Sequence, residues 1–338
     1  MAPIGTTRPH SMQTASRRFP CSSMTRRLPA GVFLAALVAA AVFAQQDRTD
    51  ERPQFRVSVD TVSLAVSVLD AEGRLVTGLP QDNFQIYEDG VEQSIEFFSR
   101  GELPLRMVIL VDTSGSMRSK LELAQEAAVR FVRSLKPGDQ VQVVEFNDRV
   151  LTLADFTSDF DRVEQAIRQT VATGATSLYN AIYVSLKNLH RENPEELDRR
   201  AIVVLSDGND TKSVLGFEDV KEQARKSSVV IYAISLRATD EDLAKDKYRN
   251  AKYELDMLAR ESGGVSYAPE NIEDLAGVYE QIATELKSQY SLGYVSTNAV
   301  ADGAWRRLQV LSKEAGTEIR TRGGYFAPRP ARRHRRAR

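Results

Sequence analysis

The chain has 338 residues, 42% hydrophobic and 27% charged, with a formal net charge of −1. That length holds more than one domain of ordinary size, and that balance excludes a wholly disordered chain and a membrane-embedded one. The near-neutral total hides two basic ends: residues 1–44 carry five arginines and 328–338 carry six, neither with an acid, which leaves 34 basic against 46 acidic side chains in 45–327. An acidic body of this kind argues against nucleic acid as a partner and suits the binding of cations.

The first element, residues 1–44, reads as a secretory signal. "MTRRLPAGVFLAALVAAAVFAQQ" opens at Met24 with two arginines, runs through an apolar stretch at 30–44 and ends on Val42-Phe43-Ala44. This is the charged, apolar, small-residue order that a signal peptidase reads, and Met24 makes a more typical start than Met1. The apolar stretch is shorter than the ~18–20 residues a spanning helix needs, a retained anchor being the alternative. The expectation is an exported protein, periplasmic, cell-surface or secreted, with 45–54 as a linker. The only cysteine, Cys21, lies upstream of the expected cleavage point, so the mature chain has no disulfide, thiol chemistry or thiolate metal site. Of the three histidines, His10 is in the leader, His334 is in the tail and His190 is in "SLKNLHRENPEEL", a polar helix end where the dipole favours a solvated imidazole.

Residues 55–103 are expected to be β-rich. Val62, Leu64, Val66 and Val68 alternate on one strand face, "AEGR" makes a turn, and "NFQIYEDGVEQSIEFF" reads as two strands joined at Asp89-Gly90. From 104 to 288 the pattern changes to apolar runs alternating with helical periodicity. Parallel strands are expected at 105–111, 141–146, 201–205, 229–236 and 265–267, with "RVLTLADF" as an antiparallel edge. Leu121, Ala124, Ala128, Phe131 and Leu135 mark one amphipathic helix, and Ile272, Leu275, Tyr279, Ile282 and Leu286 another. This alternation predicts an α/β fold, a Rossmann-like, doubly wound, mostly parallel sheet. At 289–327 the pattern returns to β. These strands are expected to pack with 55–103, so that the α/β unit is inserted in, or flanked by, a small β-sandwich. The tail, 328–338, reads as a disordered basic segment, solvated or in contact with an anionic envelope surface.

The chemistry concentrates at the strand ends. In "VILVDTSGSM", Asp112 ends the first parallel strand, and Ser114 and Ser116 follow on the loop into the first helix. "GATSLYNAI" offers Thr176 and "VVLSDGND" offers Asp207 on two further loops. Ligands bind at this edge of open α/β sheets, so two carboxylates and three hydroxyls from three loops can converge on one hard cation. Two aspartates only balance a +2 charge, which leaves the ion attractive to a further anionic oxygen. Asp210 and Asn209 are candidates for loop solvation, with Asp210 also able to order the ligands. Asp89 and Asp148 read as turn residues. The charged stretch "ATDEDLAKDKYRNAKYELD" reads as a partly helical, solvated insertion.

Several alternatives compete for this loop. An aspartic protease needs two facing Asp-Thr-Gly loops, and only one comparable stretch exists. A subtilisin-like reading of "GATSL" needs a histidine between Asp112 and that serine, and the interval has none. The serines and aspartates could also serve only as helix caps. The D-x-S-x-S pattern at Asp112-Thr113-Ser114-Gly115-Ser116, with Thr176 and then Asp207 before a glycine, resembles the von Willebrand factor type A domain and its metal-ion-dependent adhesion site, over about 104 to 289. That resemblance implies a non-enzymatic recognition protein of the bacterial exported type. It implies Mg²⁺ or Mn²⁺ on Asp112, Ser114, Ser116, Thr176 and Asp207, with a protein partner donating an Asp or Glu carboxylate. The alternative is a cell-envelope assembly module in which the metal only stabilises the fold; a hydrolase is more remote. The sequence names no oligomeric state.

Overall fold

The computed structural model describes residues 61–191, 198–207, 210–236 and 246–329. The expected leader and linker, residues 55–60, Asn209, the first part of the charged insertion and the tail from 330 lie outside them. No helix among the described residues is long and apolar enough to cross a membrane.

The α/β body is a six-stranded sheet. Its strands are β5 (Leu105–Asp112), β6 (Gln140–Phe146), β7 (Val150–Thr157), β8 (Arg199–Ser206), β9 (Val230–Ser235) and β10 (Ser266–Tyr267), in the order β10-β9-β8-β5-β6-β7. All neighbours are parallel except β7, an antiparallel edge whose pairing with β6 carries register shifts. Continuous apolar runs form these strands because both faces are covered. In β5, Met107, Ile109 and Val111 face one core while Val108 and Leu110 face the other. The first core is closed by α1 (Leu121–Arg133), α2 (Phe160–Arg168) and α6 (Leu275–Ser288), the second by α3 (Leu178–Arg191), α4 (Phe217–Lys226) and α5 (Asp246–Ser262). The end of the charged insertion thus belongs to α5, which buries Leu255, Leu258 and Ala259 against the sheet.

The flanking strands make two four-stranded sheets. One has the order β13 (Glu318–Arg320), β1 (Thr61–Leu69), β11 (Tyr290–Val295), β4 (Phe97–Arg100); the other runs β14 (Gly324–Phe326), β12 (Trp305–Ser312), β2 (Phe84–Glu88), β3 (Val91–Gln93). Val62, Leu64, Val66 and Val68 of β1 share a core with Phe84, Ile86, Leu292, Leu308 and Val310 between the sheets. Asp89 and Gly90 both take positive φ, 48° and 86°, the backbone of a two-residue hairpin turn. The stretch expected to hold two strands holds three. After β3 the chain leaves that sheet and β4 pairs with β11 of the other, because Phe98 gains Phe84 and Tyr290 as ring neighbours, with centroids at 5.9 and 6.1 Å.

Sandwich and α/β body meet through specific polar contacts. Glu285 of α6 accepts from Ser67 Oγ (3.0 Å) and Tyr232 Oη (3.1 Å) and pairs with Arg320 at 2.6 Å. Arg322 donates to Ser227 O (3.2 Å) and Ser63 O (2.8 Å), and its burial pulls the guanidinium down to about 10. Beside this seam, Gly264 lies so close to β9 that an added Cβ would sit 2.1 Å from Ile231 O. Gly264→Ala must push a strand aside. We expect it to cost about 3 kcal/mol and to lower the melting temperature by roughly 6–10 °C in a thermal melt.

Candidate metal centre

β5 and β8 are adjacent in the sheet, but the chain leaves β5 toward β6 on its other side. The crevice beyond their carboxyl ends is therefore a topological switch point, where side chains from separate loops meet. Asp112 is the last residue of β5, and Asp207 follows the last residue of β8. Thr113 turns the first loop inward: its amide and hydroxyl donate to Phe146 O at 2.9 and 3.3 Å, and Asn147 Nδ2 donates back to Thr113 Oγ1 at 3.1 Å.

A chain of hydrogen bonds joins four of the five expected residues. Asp112 Oδ1 accepts from the Ser114 amide at 2.9 Å, and Ser114 Oγ lies 3.0 Å from Ser116 Oγ. Ser116 Oγ donates to Asp207 Oδ1 at 2.7 Å. Asp112, Ser114 and Asp207 are buried while Ser116 is exposed, so the cluster opens to solvent on the Ser116 side.

Thr176, also buried, arrives through its backbone. The loop before α3 is stitched to the Asp112 loop by Gly115 N to Gly174 O (3.0 Å) and Thr173 N to Thr113 O (2.7 Å). It is stitched to the Asp207 loop by the Thr211 and Lys212 amides, which donate to Thr176 O at 2.9 and 3.0 Å. Gly174 takes φ +78°, and a Cβ there would sit 2.3 Å from Asp148 Oδ2, so both the backbone and the space demand glycine.

Four further residues shape the centre. Ser206 donates to Asp112 Oδ2 at 2.5 Å, and Lys120 Nζ donates to Asp207 Oδ2 at 2.7 Å. Asp210 accepts from the Tyr179 amide at 3.0 Å, satisfying the first turn of α3 from a neighbouring loop. Asp148 both turns its hairpin and accepts from Ala175 N at 3.2 Å. The register of β5 on β8, with Val111 opposite Leu205, carries Ser206 to the side of Asp112, and only that register reveals it. Lys120 looks in sequence like a solvated helix start, and nothing local marks it otherwise.

Burial weighs most heavily on Asp112. Burial pushes the Asp112 carboxyl up to about 6; hydrogen bonds from Ser206 and Ser114 oppose this, and the charge of Asp207 adds to it. Among the described residues no three His, Cys, Asp or Glu side chains cluster as ligands, so an ion here rests on two carboxylates and hydroxyls. That all-oxygen donor set fits a hard divalent cation, and the ammonium of Lys120 already stands as a positive charge against Asp207. His190 is exposed in the last turn of α3, twelve residues beyond its first, or about 18 Å along the axis and far from Asp112. A hydrolase would have to work without it.

Residues 107–209 match the family model of the von Willebrand factor type A domain. The chain is 25% identical over 232 residues to a UPF0353 protein of Mycolicibacterium paratuberculosis, across 63% of this chain and 68% of that one. It is 23% identical over 235 residues to inter-alpha-trypsin inhibitor heavy chain H4 of Bos taurus, covering 65% of this chain but only 25% of that relative's length. Among solved structures it is similar to the conserved hypothetical protein BatB from Bacteroides thetaiotaomicron, with a TM-score of 0.43, 19% identity, and 54% of this chain and 100% of that chain covered. It is also similar to proximal thread matrix protein 1 from the mussel byssus with a zinc-occupied MIDAS motif, with a TM-score of 0.46, 19% identity, and 59% and 49% covered. The six-stranded α/β body that holds this match has a von Willebrand factor type A-like fold.

Proposed function

We propose that this centre holds one hard divalent cation, Mg²⁺ or Mn²⁺, on Asp112, Ser114, Ser116, Thr176 and Asp207, and that the protein is an exported, non-enzymatic adhesion module. The observation that carries the reading is the meeting of two buried carboxylates from adjacent strand ends with the hydroxyls of Ser114 and Ser116 in one hydrogen-bonded chain. The ion supplies a positive charge that two aspartates balance but do not exceed, open to a partner's Asp or Glu carboxylate. The chain's residues do the rest. Ser206 and the Ser114 amide aim the Asp112 carboxylate, and Asp210 with Thr211 fixes the Thr176 loop.

The rim supports an acidic partner. Arg118, Arg149 and Lys212 are exposed on the loops that surround the centre, a basic collar on an acidic body. Val171 and Val214, 70% and 93% exposed on those loops, offer apolar contact beside it. Export is supported by the charged, apolar, small-residue order of 24–44 and by a chain with no cysteine beyond Cys21.

Calorimetric titration with MgCl₂ and MnCl₂ tests the metal. One site is expected in the full chain, with at least a hundredfold loss of affinity in Asp207→Ala. Capture of a partner is expected to cease in EDTA and to return with Mg²⁺. Capture that survives both EDTA and Asp112→Ala moves recognition to the β-sandwich and makes the protein an envelope assembly module.

A further inference from the structure

Lys120 is the last residue before α1, and its ammonium lies 2.7 Å from Asp207 Oδ2. The pair is sheltered: the Asp207 side chain is 0% exposed and that of Lys120 14%. The other oxygen of Asp207 is held by Ser116, itself one of the proposed ligands. The lysine therefore occupies the same carboxylate that the ion must use. A divalent cation and an ammonium within a few ångströms repel each other strongly in a partly desolvated site. They cannot share Asp207 on equal terms.

Resting on the proposed metal site, we infer that Lys120 is a built-in competitor, an internal cation that neutralises Asp207 while the centre is empty and must leave when a divalent ion enters. Lys120 thereby sets the metal affinity. The chain can stay folded and paired without metal, and it loads only where the free ion concentration is high enough to displace a tethered charge. The four-carbon stem lets the ammonium swing out to solvent beside Ser116, the exposed member of the cluster, without moving the backbone.

The test is calorimetry with MnCl₂ on the full-length wild type, Lys120→Met and Lys120→Arg, with melts of each in EDTA. Methionine keeps the apolar stem and removes the charge. Lys120→Met is expected to bind Mn²⁺ about tenfold more tightly, the equivalent of about 1.4 kcal/mol, and to melt lower than wild type in EDTA. Lys120→Arg is expected to show no gain in affinity. A lysine that merely props the fold predicts weaker Mn²⁺ binding together with the lower melt. Equal or weaker binding by Lys120→Met, with wild type binding normally, overturns the competitor role and leaves the metal site standing. No Mn²⁺ binding by any of the three overturns the metal site and this inference with it.

Discussion

Asp112→Asn is expected to raise the melting temperature of the chelated protein while abolishing its uptake of Mn²⁺. In the folded chain burial holds the Asp112 carboxyl at about 6, against an ordinary value of 3.8. The folded state thus binds a proton that the unfolded state releases between those values. Stability from this group is complete below about pH 4 and declines as the pH rises to about 6. At pH 7.5 the ionised, uncompensated carboxylate costs about 3 kcal/mol. Asparagine carries no charge, can still accept from the Ser114 amide through Oδ1 and offers Nδ2 to the Ser206 hydroxyl. The gain should be roughly 6–10 °C at pH 7.5 and should vanish near pH 4. A melt that falls at pH 7.5 would refute the account of Asp112 as a strained anion awaiting a cation. Undiminished Mn²⁺ uptake would refute its role as a ligand.

Glu285→Ala is expected to have the opposite profile, a large loss of stability with no change in metal affinity. Glu285 is buried at the seam, where it pairs with Arg320 and accepts from Ser67 and Tyr232. Truncation removes three partners at once and leaves the Arg320 charge without its carboxylate, a change that costs about 3 kcal/mol. The melting temperature should fall by roughly 6–10 °C, while the Mn²⁺ dissociation constant stays within about twofold because the seam and the Asp112 face lie at opposite ends of the sheet. Glu285→Gln keeps an acceptor and should recover part of the loss. A shift in metal affinity as large as the stability effect would show that the two ends communicate.

Much of the α/β body could be read from the sequence, because a strand buried on both faces is written as an unbroken apolar run and the helices between are amphipathic. Residues 105–111 and 201–205 declare themselves this way, and with them the positions of Asp112 and Asp207 at the same sheet edge. The β sandwich was less legible. The departure of β4 to the second sheet depends on Phe98 finding Phe84 and also Tyr290, which lies almost two hundred positions away. At the centre, the residues that carry a pattern were visible and those that act through register were not. Ser206 matters because β8 lies beside β5 at one particular offset. Lys120 matters because the turn after Ser116 delivers its ammonium to a loop 87 residues downstream. Composition and spacing contain neither fact.

The way β5 is entered has a mechanical consequence. β4 ends at Arg100 and β5 starts at Leu105, while Gln289 alone separates α6 from β11. The two tethers are adjacent, because Arg100 pairs with Tyr290, and Asp112 stands seven residues from Leu105 at the tip of β5, about 23 Å along the strand. The sandwich is therefore a grip and the Asp112 face a fingertip. Load applied through a captured partner would run down the central strand of the sheet into two short, adjacent anchors, a route with little slack to take up before the sandwich itself bears the tension.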